Sequence, residues 1–162
     1  MRWLILTATH LAMLAIGFAI GIYTLPILTA PRASDTAALQ NLGSETLYVG
    51  HLVRNLKGSG LLHWGEGEVR ISRNQIAHIG RLAPGPDYKL YLAPRFVDTK
   101  EAFLVIKDMS VRVGNVKTFS GFIIEVPPSI DVRDYGAVVV WCEAFDQFIS
   151  AAEFRTIQQA QV

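Results

Sequence analysis

The chain is 162 residues long, room for one domain of ordinary size and an appendage but not for two full domains. At 51% hydrophobic and 18% charged it is not a disordered polypeptide, and 15 Lys+Arg against 14 Asp+Glu leave a net charge of +1, no surplus with which to neutralise a row of nucleic-acid phosphates. A single cysteine excludes an intrachain disulfide framework and any multi-cysteine zinc or iron–sulfur site within one copy.

The apolar excess lies at the N-terminus. No charged side chain occurs from Trp3 to Pro31, and the stretch from Trp3 to Leu25, before Pro26, makes roughly 34 Å of helix, enough to span a bilayer. A cleaved signal peptide is the competing reading, because Arg2 supplies a basic start and Thr29-Ala30 resembles a cleavage site. The run exceeds the roughly 7–15 residues of a signal-peptide core, and Pro31 obstructs cleavage after Ala30, so an uncleaved anchor over residues 1–28 is expected. Arg2 before the span and Arg32 after it give a mild preference for a cytoplasmic N-terminus, which places the rest of the chain on the periplasmic or extracellular side. Trp3 and Tyr23 fall near opposite ends of the span, at headgroup level. Gly17 and Gly21 form a GxxxG spacing through which two copies could pair, although glycine is common in membrane helices on any account.

Residues 29–45 read as a linker with at most one helical turn, capped by Ser34 or Asp35 and stopped by Gly43. Beyond it, over residues 46–156, short β-branched and aromatic runs recur between Gly, Pro, Asp and Asn, and none has the length or 3.6-residue period of an amphipathic helix. The expected strands are Gly67–Ser72, Gln75–Leu82, Tyr88–Ala93, Val111–Val116, Gly121–Val126 and Ala137–Cys142. In the third, Tyr88, Leu90 and Leu92 alternate with Lys89, Tyr91 and Ala93, as in a strand with one buried face. The last is apolar on both faces, as in a central strand of a sandwich. Gly85-Pro86-Asp87 is turn chemistry, and Pro127-Pro128 ends the run before it because neither proline donates to a ladder. Residues 157–162 are a tail. The expected fold is therefore all-β and sandwich-like, preceded by a single transmembrane helix.

Few residues suggest chemistry. Cys142 closes the last apolar strand; in an oxidising compartment it could bridge to another chain, oxidise or ligate a group, or it could be a small buried hydrophobe. Glu143 and Asp146, nearby in sequence, would disfavour a thiolate if they are close in space, and no Lys or Arg flanks it. His10, His51, His63 and His78 lack metal-ligand spacing; strands can still bring a histidine and Cys142 together in a mixed metal or haem site, but structural or surface roles suit the histidines better. Glu66 and Glu68 in Gly65-Glu66-Gly67-Glu68 would share a strand face, more in keeping with a solvated strand edge than a glycosidase pair. Gly58-Ser59-Gly60 lacks the context of a phosphate loop.

The order of motifs resembles the DM13 domain family. It runs from His63–Ile71 through Gly85–Leu92, Gly114–Gly121 and Val126-Pro127 to Tyr135–Phe145, with Phe148–Ala152 as its tail, and covers about residues 46–156. The specific part is the last third, where Tyr135, an apolar strand, Trp141-Cys142 and Phe145 follow one another. The sequence departs from the family before Gly85, where a phenylalanine is usual and Arg81-Leu82-Ala83-Pro84 stands. The resemblance implies a β-sandwich-like module, often secreted or membrane-tethered, with a redox or electron-transfer role through a cysteine that maps onto Cys142. Trp141 and Phe145 would shape its surroundings, and Tyr135, Gly85, Pro86 and Asp87 would support the site. The resemblance names no cofactor. The alternative is a non-catalytic binding or assembly module with a core cysteine. No acid–base or nucleophilic constellation of an independent enzyme is present in the sequence.

Overall fold

Two four-stranded antiparallel sheets face one another in the computed structural model, which describes residues 1–31 and 46–155. The helical turn expected near Ser34 to Gly43 and the tail 157–162 lie outside the described residues. One sheet has the order β1-β2-β3-β6, formed by Tyr48–Leu52, Gly65–Ile71, Gln75–Leu82 and Phe122–Glu125. The other has the order β5-β4-β7-β8, formed by Val111–Val116, Tyr88–Ala93, Ala137–Cys142 and Gln147–Glu153.

Helix α1, Arg2–Thr29, precedes the sheets and is long and apolar enough to cross a membrane. It runs through Pro26 and does not stop at Leu25. Apolar helices accommodate proline where side-chain hydroxyls bond to backbone carbonyls, and Thr24 and Thr29 donate to Ile20 and Leu25 carbonyls at 2.8 Å.

The strand alternation read from the sequence places Val69, Ile71, Ile76, Leu90, Leu92, Val138 and Val140 between the sheets. Each such side chain contributes roughly 1.5–3 kcal/mol by leaving water. The hairpin β2–β3 is closed by Ser72, whose hydroxyl accepts from the Gln75 amide at 3.1 Å. Between β6 and β7, Pro127-Pro128 ends the ladder as expected. Gly67, at φ +122, takes a conformation closed to other residues, and a Cβ there would stand 2.2 Å from the Ile79 carbonyl oxygen across the ladder.

Three features differ from expectation. Strand β4 is buried on both faces, because helix α2, Lys100–Ile106, covers the outer side of its sheet: Phe103 and Ile106 pack on Tyr91, Val139, Trp141 and Phe148. That helix has only seven residues, too few to show a period, and is started by Thr99, whose hydroxyl accepts from the Ala102 amide at 3.2 Å. Strands β1 and β8 escaped the sequence reading. As a result Glu66 and Glu68 are not on an edge: β2 lies between β1 and β3, with Glu68 paired to Arg70 at 2.5 Å and Glu66 to Arg54 at 3.8 Å. Leu82 and Ala83, where the family usually carries phenylalanine, are both buried.

Candidate functional site

Cys142 is the last residue of β7 and faces the space between the sheets, 2% exposed. It stands opposite Tyr88 of β4 and Gln147 of β8. The turn to β8 is tight: Asp146 adopts φ 46, a left-handed conformation that a short polar side chain tolerates, and its amide bonds to the Glu143 carbonyl at 3.4 Å. This turn and the Gly85–Asp87 crossover are tied together by the Glu143 amide, which donates to the Asp87 carbonyl at 3.0 Å.

The two loops enclose the sulfur. Burial pushes the Cys142 thiol above its ordinary range; the amides of Phe145, Asp87 and Ala144, directed at the sulfur, act against this, while the Asp87 carboxylate adds to it. The net direction is up, so the group is a neutral thiol near pH 7. The carboxylate acting on it is that of Asp87, and Glu143 is engaged elsewhere. Consecutive strand residues point to opposite faces, and Glu143 turns away to receive hydrogen bonds from Lys107 Nζ at 2.8 Å and from the Tyr91 hydroxyl. Burial alone raises the Glu143 carboxyl, but those bonds outweigh it and hold the carboxyl below its ordinary value.

A small apolar cleft of about 150 Å³ opens beside Cys142. Leu62, His63, Pro84, Gly85, Pro86, Tyr88, Phe145, Gln147 and Ile149 line it, together with Ile22 and Tyr23 from α1. Gly85 is required by close approach, since a Cβ there would meet the Tyr88 ring at 2.3 Å. Of the residues singled out in the sequence, Gly85, Pro86, Asp87 and Phe145 thus gather around Cys142. Trp141 and Tyr135 do not. Trp141 lies on the opposite face of β7, its ring 5.0 Å from that of Phe103 and 4.9 Å from Lys107 Nζ. Tyr135 precedes the other end of β7, a strand length of roughly 20 Å away. Of the further lining residues, His63 is a histidine that the sequence allows as a partner of Cys142, Tyr88 and Ile149 lie within the motifs that carry the resemblance, and Gln147 carries no sequence signal.

The histidines remain apart. His78 is fully buried, its Nε2 3.0 Å from the Glu66 carbonyl and its ring 5.1 Å from that of Phe122. His51 is exposed on β1 and His10 lies on α1, its Nδ1 2.7 Å from the Leu6 carbonyl oxygen; only His63 shares the cleft of Cys142. Among the described residues no three His, Cys, Asp or Glu side chains form a metal-binding group. The cleft is also well below the roughly 300 Å³ at which organic ligand sites begin, so the residues around Cys142 do not enclose a haem. What they fit is a shielded thiol.

A family model described as "DM13: Electron transfer DM13" matches residues 58–154, from the loop before β2 through β8. No curated protein and no solved structure matches the chain.

Proposed function

The chain belongs to the DM13 family, and on that basis we propose that it is a membrane-tethered, extracytoplasmic electron-transfer component in which the Cys142 thiol is the redox group. The observation that supports this most is the convergence of the Gly85-Pro86-Asp87 crossover and the β7–β8 turn on one sulfur, with backbone amides of Asp87, Ala144 and Phe145 directed at it. Amides so placed stabilise negative charge on sulfur, the form that reacts in thiol exchange or oxidation. Helix α1 is the membrane anchor in this reading, with the sandwich on the periplasmic or extracellular side and pairing through Gly17 and Gly21 open to a second copy. The chemistry open to it is thiol–disulfide exchange: the Cys142 thiolate attacks one sulfur of a partner protein's disulfide, a mixed disulfide forms as that S–S bond breaks, and the partner's other sulfur leaves as a thiolate.

Trapping the thiol state in acid-quenched cells tests it. The redox reading expects the reduced and oxidised pools of Cys142 to change between reducing and oxidising growth, and Cys142→Ser to abolish electron transfer with the near-ultraviolet circular dichroism kept. A thiol reduced under both conditions, with unaltered in vivo function of Cys142→Ser, overturns it. The second reading is a binding or assembly module at the membrane surface with a core cysteine; the burial of Cys142 and its raised thiol favour it, and the same two results would establish it.

A further inference from the structure

Large apolar side chains are left in water at several places on the sandwich, among them Val105 at 72% and Met109 at 62% on and just after helix α2, and one group lies at the Cys142 end. Leu61 is 90% exposed, Leu62 50% and Phe145 56%, and Leu62 and Phe145 line the same cleft. That cleft marks one end of the sandwich, the end at which β7 finishes with Cys142. The β2–β3 hairpin at Ser72–Gln75 and the Pro127–Arg133 segment mark the other, since Ile71 pairs with Ile76 and Gln75 with Glu125.

The end of α1 reaches the first of these ends. Ile22 and Tyr23 line the Cys142 cleft, and Pro26 and Thr29 line a neighbouring one of about 450 Å³ with Lys89 and Lys117. Helix α1 has 28 residues, roughly 42 Å, against a hydrocarbon thickness of roughly 30 Å. About eight residues, from near Ile22 onward, therefore stand beyond the hydrocarbon core, at headgroup level. The chain path is compatible: β1 starts at Tyr48 opposite Ile71, at the far end, and residues 32–45 can reach roughly 45 Å, twice the roughly 23 Å height of the seven-residue strand β2.

We infer that the Cys142 end of the sandwich docks on the phospholipid surface that holds α1, with Leu61, Leu62 and Phe145 dipping into the interfacial layer. The inference rests on the anchored reading above. Apolar tips beside the exposed Lys117 are the composition of an interfacial contact, with apolar area in the acyl boundary and an ammonium group at phosphate level; Lys89 is engaged by Asp87 at 2.5 Å. Tyr23, an amphipathic ring at the same level, continues it. The consequence is that the mouth of the Cys142 cleft opens toward lipid and not toward bulk water.

The full chain in phosphatidylcholine nanodiscs bearing a gadolinium-chelating headgroup tests the inference through paramagnetic broadening of its amides. Amides of residues 60–64 and 143–146 should broaden several-fold more than those of 72–75 and 127–131. In a Leu61→Glu/Phe145→Glu variant the two sets should become alike, while alkaline washing still leaves the protein in the membrane. Equal broadening of both ends in the unaltered chain, or an unchanged pattern in the variant, overturns the docking. Release of the unaltered chain by alkaline washing overturns the anchored reading instead.

Discussion

Replacing Cys142 by Ser and by Ala separates what the sulfur does for the fold from its chemistry. The thiol is 2% exposed and lies beside three backbone amides, those of Phe145, Asp87 and Ala144. A serine oxygen at the same place accepts from them, so Cys142→Ser exchanges one buried acceptor for another and should cost about 1 kcal/mol. Alanine removes the acceptor and opens a small void, so Cys142→Ala should be the more destabilised by about 1 kcal/mol. For a domain of this size each 1 kcal/mol is roughly 4 °C in Tm. Thermal unfolding of the full chain in mild detergent, followed by near-ultraviolet circular dichroism of the buried Trp141, gives the order directly. An alanine variant as stable as the serine variant would refute the acceptor role of the sulfur, and with it the amide cradle on which the proposed chemistry depends. The thiol also sets a pH dependence. Its folded value lies above the unfolded value of about 9, so the neutral form is favoured by folding, and that stabilisation is whole below about pH 9 and lost as pH rises through the folded value. The unaltered chain should lose its advantage over Cys142→Ser above pH 9 and not below it.

Other expectations follow from the same geometry. Gly85→Ala drives a Cβ into the buried Tyr88 ring and should cost about 1–3 kcal/mol, with most of the loss recovered in a Tyr88→Leu background by a double-mutant cycle in urea. Lys107→Met removes the cation from the partly buried Glu143 carboxylate and should destabilise by about 1–2 kcal/mol at pH 7; because folding lowers the Glu143 value, the difference from the unaltered chain should shrink as pH falls from the ordinary value of about 4.5 through the folded one. Burial lowers the His78 value against the opposing bond to the Glu66 carbonyl, so the ring is neutral in the fold, and stability should fall as pH drops below about 6.5, less steeply in His78→Gln when measured by urea midpoint.

The sequence alone determined the elements whose cause is local. A charge-free run produced α1, and alternating or doubly apolar runs produced β3, β4, β5 and β7 with the bounds read from them. Pro127-Pro128 stopped β6, and the spacing of Trp141, Cys142 and Phe145 carried the family. The structure decided what local pattern does not encode. Strand β1, Tyr48–Leu52, carries Gly50 and His51 and is half exposed, and β8 is built from Ser150, Ala151 and Ala152, small residues with little strand preference of their own. Both exist because a neighbouring strand offers its ladder. Helix α2 exists because Phe103 and Ile106 have Trp141 and Phe148 to cover, which makes the outer face of β4 a core. The site is of the same kind: His63, Tyr88 and Cys142 meet only when the two sheets close, and which neighbour of Cys142 faces the cleft depends on the pleat of β7 and the turn after it. Adjacent residues in a strand are on opposite sides, so Trp141 went to the helix-covered face while Phe145, beyond the turn, came back beside the sulfur.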